Sequence, residues 1–457
     1  MQFENTIFRM KYLILLVVLI ITILAKPWEI SFAGGLHPMN DSTLLIASTS
    51  GIKAPLPLFP IGQVINNEDS QFSETEQFDK SIERFMRTWS IQGASFALMK
   101  DNKLLYAKGY GFADKEAGVQ TDVKHIFRIA SVSKLITAVG IMKLEEEGKL
   151  KLSDPVFGPD GILNDSIYSS IKDPRAKKIT IENLLRHQGG FSNAYGDPMF
   201  SPVDIAKKMH VKAPADLNTI IQYALSRRLN YNPGMTTIYS NLGYGILTKV
   251  IEKISGTGYE SYICQTILKP IGCFDMHLGR NLYENKLANE VKYYENATNG
   301  LIPACDGSNQ LVPKYYGGNN IEELYGAGGW VASPAELLRF LASIDGNPDI
   351  PDILKPETVS LMTAFSQETL PIGWMHITAD GEWWRTGTLS GTSALMKKQS
   401  DGYSWVFITN TSSWKGSKFP SYINSAVSRA FQTHVKWPEK DLFKQQQFDP
   451  HQLLVTQ

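Results

Sequence analysis

The chain has 457 residues, and single hydrophobic cores stop growing at about 250–300 residues, so segments outside one catalytic body are expected. Hydrophobic residues make up 43%, charged residues 20% and aromatic residues 11%, and 45 basic side chains balance 45 acidic ones. This is a globular composition, and a zero formal charge excludes a global field that would steer the protein to nucleic acid or to an anionic membrane surface.

Arg9 and Lys11 precede an apolar run from Tyr12 to Ala25, and a small-residue site follows at Ser31-Phe32-Ala33, before Gly34-Gly35. The run has the length of a signal h-region and falls short of the ~20 apolar residues that a spanning helix needs. Residues 1–33 read as a cleaved signal peptide or as an uncleaved membrane anchor. Both readings export the rest of the chain to the periplasm or the extracellular space. Residues 34–76 hold no lasting period and are interrupted by Pro55, Pro57 and Pro60. They read as a linker that lifts the body off a membrane.

The body is expected over residues 77–437. It opens with a helix through Ile82, Phe85 and Met86. Strand patterns at Ala94–Met99 and Leu104–Ala107 flank the turn residues Lys100, Asp101 and Asn102, and Gly109 and Gly111 are expected to end this hairpin. From Ile126 to about Phe340 the pattern is helical and loop-rich. Helices are expected at Ser131–Glu147 and Tyr239–Ser255, each followed by a glycine, Gly148 or Gly256, in the C-cap position. Strands return at Glu382–Thr386, Thr392–Lys398 and Tyr403–Asn410, the last two joined by Asp401-Gly402. A helix carrying Tyr422, Ile423, Val427, Ala430 and Phe431 on one face closes the body, and residues 438–457 form a polar tail expected to be loose. Strands at both ends with helices between them predict an α/β (α+β) fold. One antiparallel sheet is built from both chain ends and flanked by helices, with a helical lobe and a cleft between sheet and lobe.

Three short motifs fall at the expected junctions of sheet and lobe. The first is Ser131-Val132-Ser133-Lys134. Val132, Leu135, Ile136, Val139 and Met142 share one helical stripe, so Ser131 falls in a first turn with Lys134 one turn later on the same side. A serine hydroxyl is a poor nucleophile until a base stands beside it. A lysine whose pKa is lowered by burial can be that base, and a helix N-terminus favours the oxyanion formed on acylation. The spacing alone is common: Ser169–Lys172 and Ser412–Lys415 share it, and a bare match reads as a helix cap beside a solvated charge.

The second motif is Tyr239-Ser240-Asn241, at the opening of an amphipathic helix. Its tyrosine can shuttle a proton between Ser131 and a leaving group, and its amide can bind Lys134 or a substrate carbonyl. The same spacing recurs at Tyr283–Asn285, Tyr294–Asn296 and Tyr422–Asn424. The third motif is Arg385-Thr386-Gly387-Thr388, ending one expected strand and preceding another. An arginine on an edge strand facing a cleft can hold a substrate carboxylate through both oxygens, or steer the tyrosine proton.

The order and context of the three motifs resemble the serine β-lactamase and penicillin-binding-protein family, in particular its class C β-lactamase-like branch with its esterases and D-Ala-D-Ala peptidases. The resemblance extends over roughly residues 80–435. It includes Ile126–Lys134, the exit Leu144–Pro155, the stretch Ile179–Gly190 beside the family's "LLxHxSG", and Gly326–Glu336 beside its "GGLxSTxxD". It implies an acyl-enzyme mechanism with Ser131 as nucleophile, Lys134 and Tyr239 as the acid–base pair, and Asn241 as helper. The backbone N–H groups of Ser131 and Thr388 would form the oxyanion hole, with Thr386 and Gly387 completing the substrate strand. Two positions depart from the pattern. Arg385 stands where the family usually has lysine or histidine, and His187-Gln188-Gly189 lacks the usual serine; His187 itself reads as structural.

No G-x-S-x-G, HExxH, Walker loop or G-x-G-x-x-G is present, and neither a cofactor nor a metal is expected. Cys264, Cys273 and Cys305 form no CxxC pair and allow at most one disulfide; buried free thiols are the commoner outcome. The expected activity is hydrolysis of an ester or amide in a small-molecule or peptide acyl substrate. Arg385 would suit an acyl group that carries a carboxylate. Two alternatives stay open: a transacylase that passes the acyl group to an alcohol or amine, and a slowly acylated penicillin-binding sensor.

Overall fold

A computed structural model of the chain describes residues 64–191, 196–296, 300–347, 350–433 and 435–444. The expected signal or anchor segment, 1–33, lies outside the described residues, as do the linker up to residue 63 and the tail from residue 445. Among the described residues no helix is long and apolar enough to cross a membrane.

The central element is a seven-stranded sheet. Its strands are β1 (Gly93–Lys100), β2 (Lys103–Asp114), β3 (Val119–Gln120), β4 (His376–Ile377), β5 (Trp383–Leu389), β6 (Thr392–Lys398) and β7 (Tyr403–Thr409). The order is β4-β5-β6-β7-β1-β2-β3, antiparallel throughout. The pairing of β7 with β1, in which Phe407 faces Phe96, joins the two ends of the body. Asp101 and Asn102 at the β1–β2 turn both have positive φ, 47° and 61°, as a two-residue hairpin connection requires and as these residue types tolerate. Gly109 and Gly111 do not end β2. The strand continues to Asp114, and a Cβ at Gly111 would collide with the carbonyl of Gln92 across the pair.

Alternation along the strands builds two cores. Phe96, Leu98, Tyr106, Leu395, Trp405 and Phe407 lie on one face, under helices α1 (Glu76–Thr88) and, near the C-terminus, Phe419–Phe431. Phe85 of the first stacks on Phe419 of the second at 5.9 Å between ring centroids. Ala97, Met99, Ala394, Met396, Val406 and Ile408 lie on the other face and merge with the core of the helical lobe. The lobe is organised by α2 (Ser133–Glu146), α3 (Asn241–Ser255) and α4 (Pro334–Ala342). Each fully buried large side chain of these cores contributes about 1.5–3 kcal/mol.

Several expected boundaries move. The α-helix begins at Ser133, with Ser131 in a preceding 3-10 turn, Ala130–Val132. The helix is buried around its whole circumference rather than along one stripe, because sheet and lobe enclose it. The second expected helix starts at Asn241, leaving Tyr239 outside it, just before the extended cap Ser240. Strand β5 runs through Gly387 and Thr388, so the third motif lies inside a strand. The body begins before residue 77: Ile65 is buried, and the Asn67 amide donates to the carbonyls of Gly109 (3.2 Å) and Thr121 (2.9 Å). The tail is docked as far as residue 444, with Leu442 buried and the Asp441 carboxylate accepting from the Leu104 N–H at 3.2 Å. All three cysteines are free thiols.

Candidate active site

The turn that carries Ser131 is held from three sides. Ala130, immediately before Ser131, has φ of 47°, a left-handed conformation that costs a non-glycine residue about 1–2 kcal/mol. The Thr392 hydroxyl of β6 donates to the carbonyl of Arg128 at 2.6 Å, and the Ile129 N–H donates to the carbonyl of Trp330 at 3.0 Å. Gly387 of β5 supplies the third side. A Cβ there would overlap the carbonyl of Ile129 and lie 3.0 Å from the amide nitrogen of Ser131, so only glycine lets the strand backbone close on the turn.

Two side chains converge on the Ser131 hydroxyl. Lys134 Nζ lies 3.2 Å from Ser131 Oγ, 2.6 Å from Asn241 Oδ1 and 2.5 Å from the carbonyl oxygen of Ala327. The Asn241 and Ala327 oxygens can only accept. In its amine form Lys134 therefore directs two N–H bonds at them and its lone pair at the Ser131 hydroxyl, the arrangement of a general base. Burial pushes the Lys134 pKa down, and the positive charge of Arg385 adds to the effect, while Tyr239 opposes it. From the other side the Tyr239 hydroxyl donates to Ser131 Oγ at 2.7 Å. Burial by itself raises the tyrosine pKa, but Lys134 and Arg385 outweigh it, and the phenol is held below its ordinary value.

The third motif is placed differently from expectation. Arg385 is 1% exposed and faces the nucleophile turn, not the cleft. Its Nε–H donates to the carbonyl of Ser131 at 2.8 Å and its Nη2 to Tyr239 Oη at 3.2 Å. Strand alternation explains this: Arg385 and Gly387 share the face that packs on the turn, opposite Met396 and Ala394 of β6. Of the two roles expected for Arg385, the contact with the tyrosine hydroxyl is the one this placement allows, joined by a grip on the Ser131 carbonyl, and the grip on a substrate carboxylate is not.

A cleft of about 430 Å3 opens over Ser131. Tyr239, Asn241, Thr386 and Thr388 line it, together with Ala327 and Gly328 of the lobe and the apolar side chains Phe200, Leu324, Met375 and Leu389. Of the residues singled out by sequence, Ser131, Tyr239, Asn241, Thr386 and Thr388 thus meet at the cleft. Lys134 and Arg385 stand behind it, and Gly387 lies beneath the turn.

Two further residues serve the site. Asp197 accepts the backbone N–H of Asn241 at 2.7 Å and that of Met199 at 3.0 Å, which anchors the start of α3; burial raises its pKa. Followed by Pro198, it reads in the sequence as a turn cap, and nothing there ties it to Asn241. His187 stacks on the Tyr239 ring at 4.4 Å, and its Nδ1 accepts from the Ser240 N–H at 3.1 Å. Its carbonyl accepts from the Ile238 N–H at 2.9 Å, so this one residue fixes the segment that carries the tyrosine. Among the described residues no group of three His, Cys, Asp or Glu side chains could hold a metal ion.

Helix-start serine, buried lysine and tyrosine between a helical lobe and an antiparallel sheet define the class of active-site-serine acyl-transfer folds. The family pattern described as "Beta-lactamase" matches residues 78–423. The chain belongs to that family. A relative in Bacillus subtilis (strain 168), PbpX, which carries a penicillin-binding-protein name, is 25% identical over 338 residues, 73% of this chain and 74% of the relative. Among solved structures, the octameric penicillin-binding protein homologue of Pyrococcus abyssi matches with a TM-score of 0.59 and 25% identity, over 80% of this chain and 78% of that one. The D-amino acid amidase of Ochrobactrum anthropi SV3 matches with a TM-score of 0.60 at 18% identity, over 80% of this chain and 100% of that one, a likeness of fold.

Proposed function

We propose that the protein is an active-site-serine hydrolase that forms an acyl-enzyme on Ser131 and cleaves an ester or amide. The observation that carries the reading is that Ser131 Oγ lies within hydrogen-bond reach of both Lys134 Nζ (3.2 Å) and Tyr239 Oη (2.7 Å). Lys134 takes the serine proton as Oγ bonds to the substrate carbonyl carbon. The carbonyl oxygen, now negative, sits against the backbone N–H groups of Ser131 and Thr388. Tyr239 then gives its proton to the leaving alcohol or amine as the scissile bond breaks, and recovers one from Lys134. Water, activated by the same pair, releases the acid and restores Ser131.

The N-terminal basic residues and apolar run support an exported body, held at or released from a membrane. The catalytic reading is tested by incubating the protein with nitrophenyl esters, phenylalanine amide and a fluorescent penicillin, with Ser131→Ala as control. Turnover that disappears in Ser131→Ala, with the acyl group found by mass on the peptide containing Ser131, is the expected result. A stable acyl label without turnover would instead identify a sensor, and faster product formation with added alcohol a transacylase. Activity that survives in Ser131→Ala would sink the reading.

A further inference from the structure

Among the described residues, no charged side chain lines the cleft above Ser131. Of the side chains that line it, four are apolar (Phe200, Leu324, Met375 and Leu389) and the rest are hydroxyl, amide, phenol, alanine or glycine. Phe200 and Met375 are 43% and 36% exposed, so their apolar surface faces the opening. The cation expected to receive a carboxylate, Arg385, is buried behind the tyrosine. Its Nε and Nη2 are engaged by Ser131 and Tyr239, and its remaining donor, Nη1, is sealed from solvent with no partner among the described residues. Lys134 is likewise buried and aims its nitrogen at protein oxygens. Beside the lining residue Ser417, Lys415 lies over the Trp414 ring at 3.7 Å, and Lys418 is solvated at the surface.

A carboxylate entering such a cleft loses hydration and meets no compensating donor fork, whereas a neutral apolar group loses little and gains contact with Phe200, Met375 and Leu389. We propose that the site selects neutral acyl donors: esters or amides with no free carboxylate on either the acyl or the leaving group, and with an apolar portion against that wall. Resting on the hydrolase reading, the inference specifies its substrate class. Arg385 is then a positioning residue for Ser131 and Tyr239, and its loss acts on all substrates alike.

The test uses matched esters on the full chain, with each rate normalised to the ester's own alkaline hydrolysis. One pair is 4-nitrophenyl butyrate against the 4-nitrophenyl monoester of glutaric acid, which puts the carboxylate on the acyl side. The other is phenyl acetate against 3-acetoxybenzoate, which puts it on the leaving group. The neutral member of each pair is expected to have the higher kcat/KM, by at least about tenfold. Arg385→Lys is expected to lower both members of a pair by the same factor, and Leu389→Arg to narrow the gap by placing a cation in the wall. A carboxylate ester that equals or beats its neutral partner overturns the proposal, as does a loss in Arg385→Lys confined to the carboxylate esters. If no ester shows Ser131-dependent turnover, the hydrolase reading itself fails and this inference falls with it.

Discussion

The Nε–H of Arg385 donates to the backbone carbonyl of Ser131 at 2.8 Å, so one cation grips the nucleophile turn from behind while its Nη2 touches the hydroxyl of Tyr239. The positive charge holds the tyrosine pKa down. Arg385→Gln removes the charge and keeps a donor near the carbonyl. Lys134, the proposed base, must be neutral to act, and its pKa is held down first by burial and further by this same charge, so the acidic limb of the kcat/KM profile is expected to move to higher pH when the charge is removed. A merely structural role would lower the rate without moving the limb, so the pH profile separates the two. Arg385→Lys is expected to restore the limb towards its original position.

In the proposed mechanism Tyr239 and Lys134 divide the proton work, and substrate choice can show the division. In Tyr239→Phe the base for Ser131 remains, but the leaving group has lost its proton donor. With alkyl esters or amides, whose leaving groups need that proton, kcat/KM is expected to fall by about 10²–10⁴. With nitrophenyl esters, which leave as stable anions, the fall is expected to be much smaller. An equal loss on both series would mean that Tyr239 serves as the base.

Much of this arrangement is legible in the sequence, and the parts that are not have a common cause. Val132, Leu135, Ile136, Val139 and Met142 fall at helical spacing, all are buried, and they place Ser131 and Lys134 correctly side by side. The hairpin, the returning strands and the closing helix follow from period and turn chemistry in the same way. What escapes is set by tertiary contact. An alanine at 130 gives no sign that φ there is positive, so the 3-10 turn that carries Ser131 is not foreseen. Asp197 meets Asn241 only because the fold brings together residues 44 apart in the chain. Arg385 is a case where a local rule was available: alternation puts it on the face shared with Gly387, and that face packs on the nucleophile turn.

Gly387 tests how closely the strand must approach. In Gly387→Ala the new methyl meets the carbonyl of Ile129 and crowds the Ser131 amide. Overpacking of this kind costs about 1–3 kcal/mol, and the strand can relieve it only by moving away from the turn. The variant is expected to unfold at lower temperature and to lose activity against every ester in the same proportion. Gly118, whose Cβ would meet nothing within 4 Å, has φ of 68°, so Gly118→Ala is expected to lower stability through backbone strain while leaving turnover intact.

His187 links the site to pH through stability. It is buried, and its pKa is pushed well below the ordinary 6.5, first by burial and then by the charges of Arg385 and Lys134. Protonation would place an N–H at Nδ1, facing the Ser240 N–H that it now accepts. The folded state therefore binds this proton less readily than the unfolded chain does. The stabilisation from a neutral His187 is complete above pH 6.5 and declines as pH falls through and below that value. The decline is about 1.4 kcal/mol per pH unit until the folded-state pKa is reached. His125, also depressed by burial, contributes in the same direction, and His277, raised by its hydrogen bond to Asp275, in the opposite one. The comparison is therefore made between wild type and His187→Gln, which leaves both of these in place. The wild-type unfolding temperature is expected to drop more steeply between pH 7 and pH 5 than that of the variant. Parallel slopes would show that His187 is not the group being titrated.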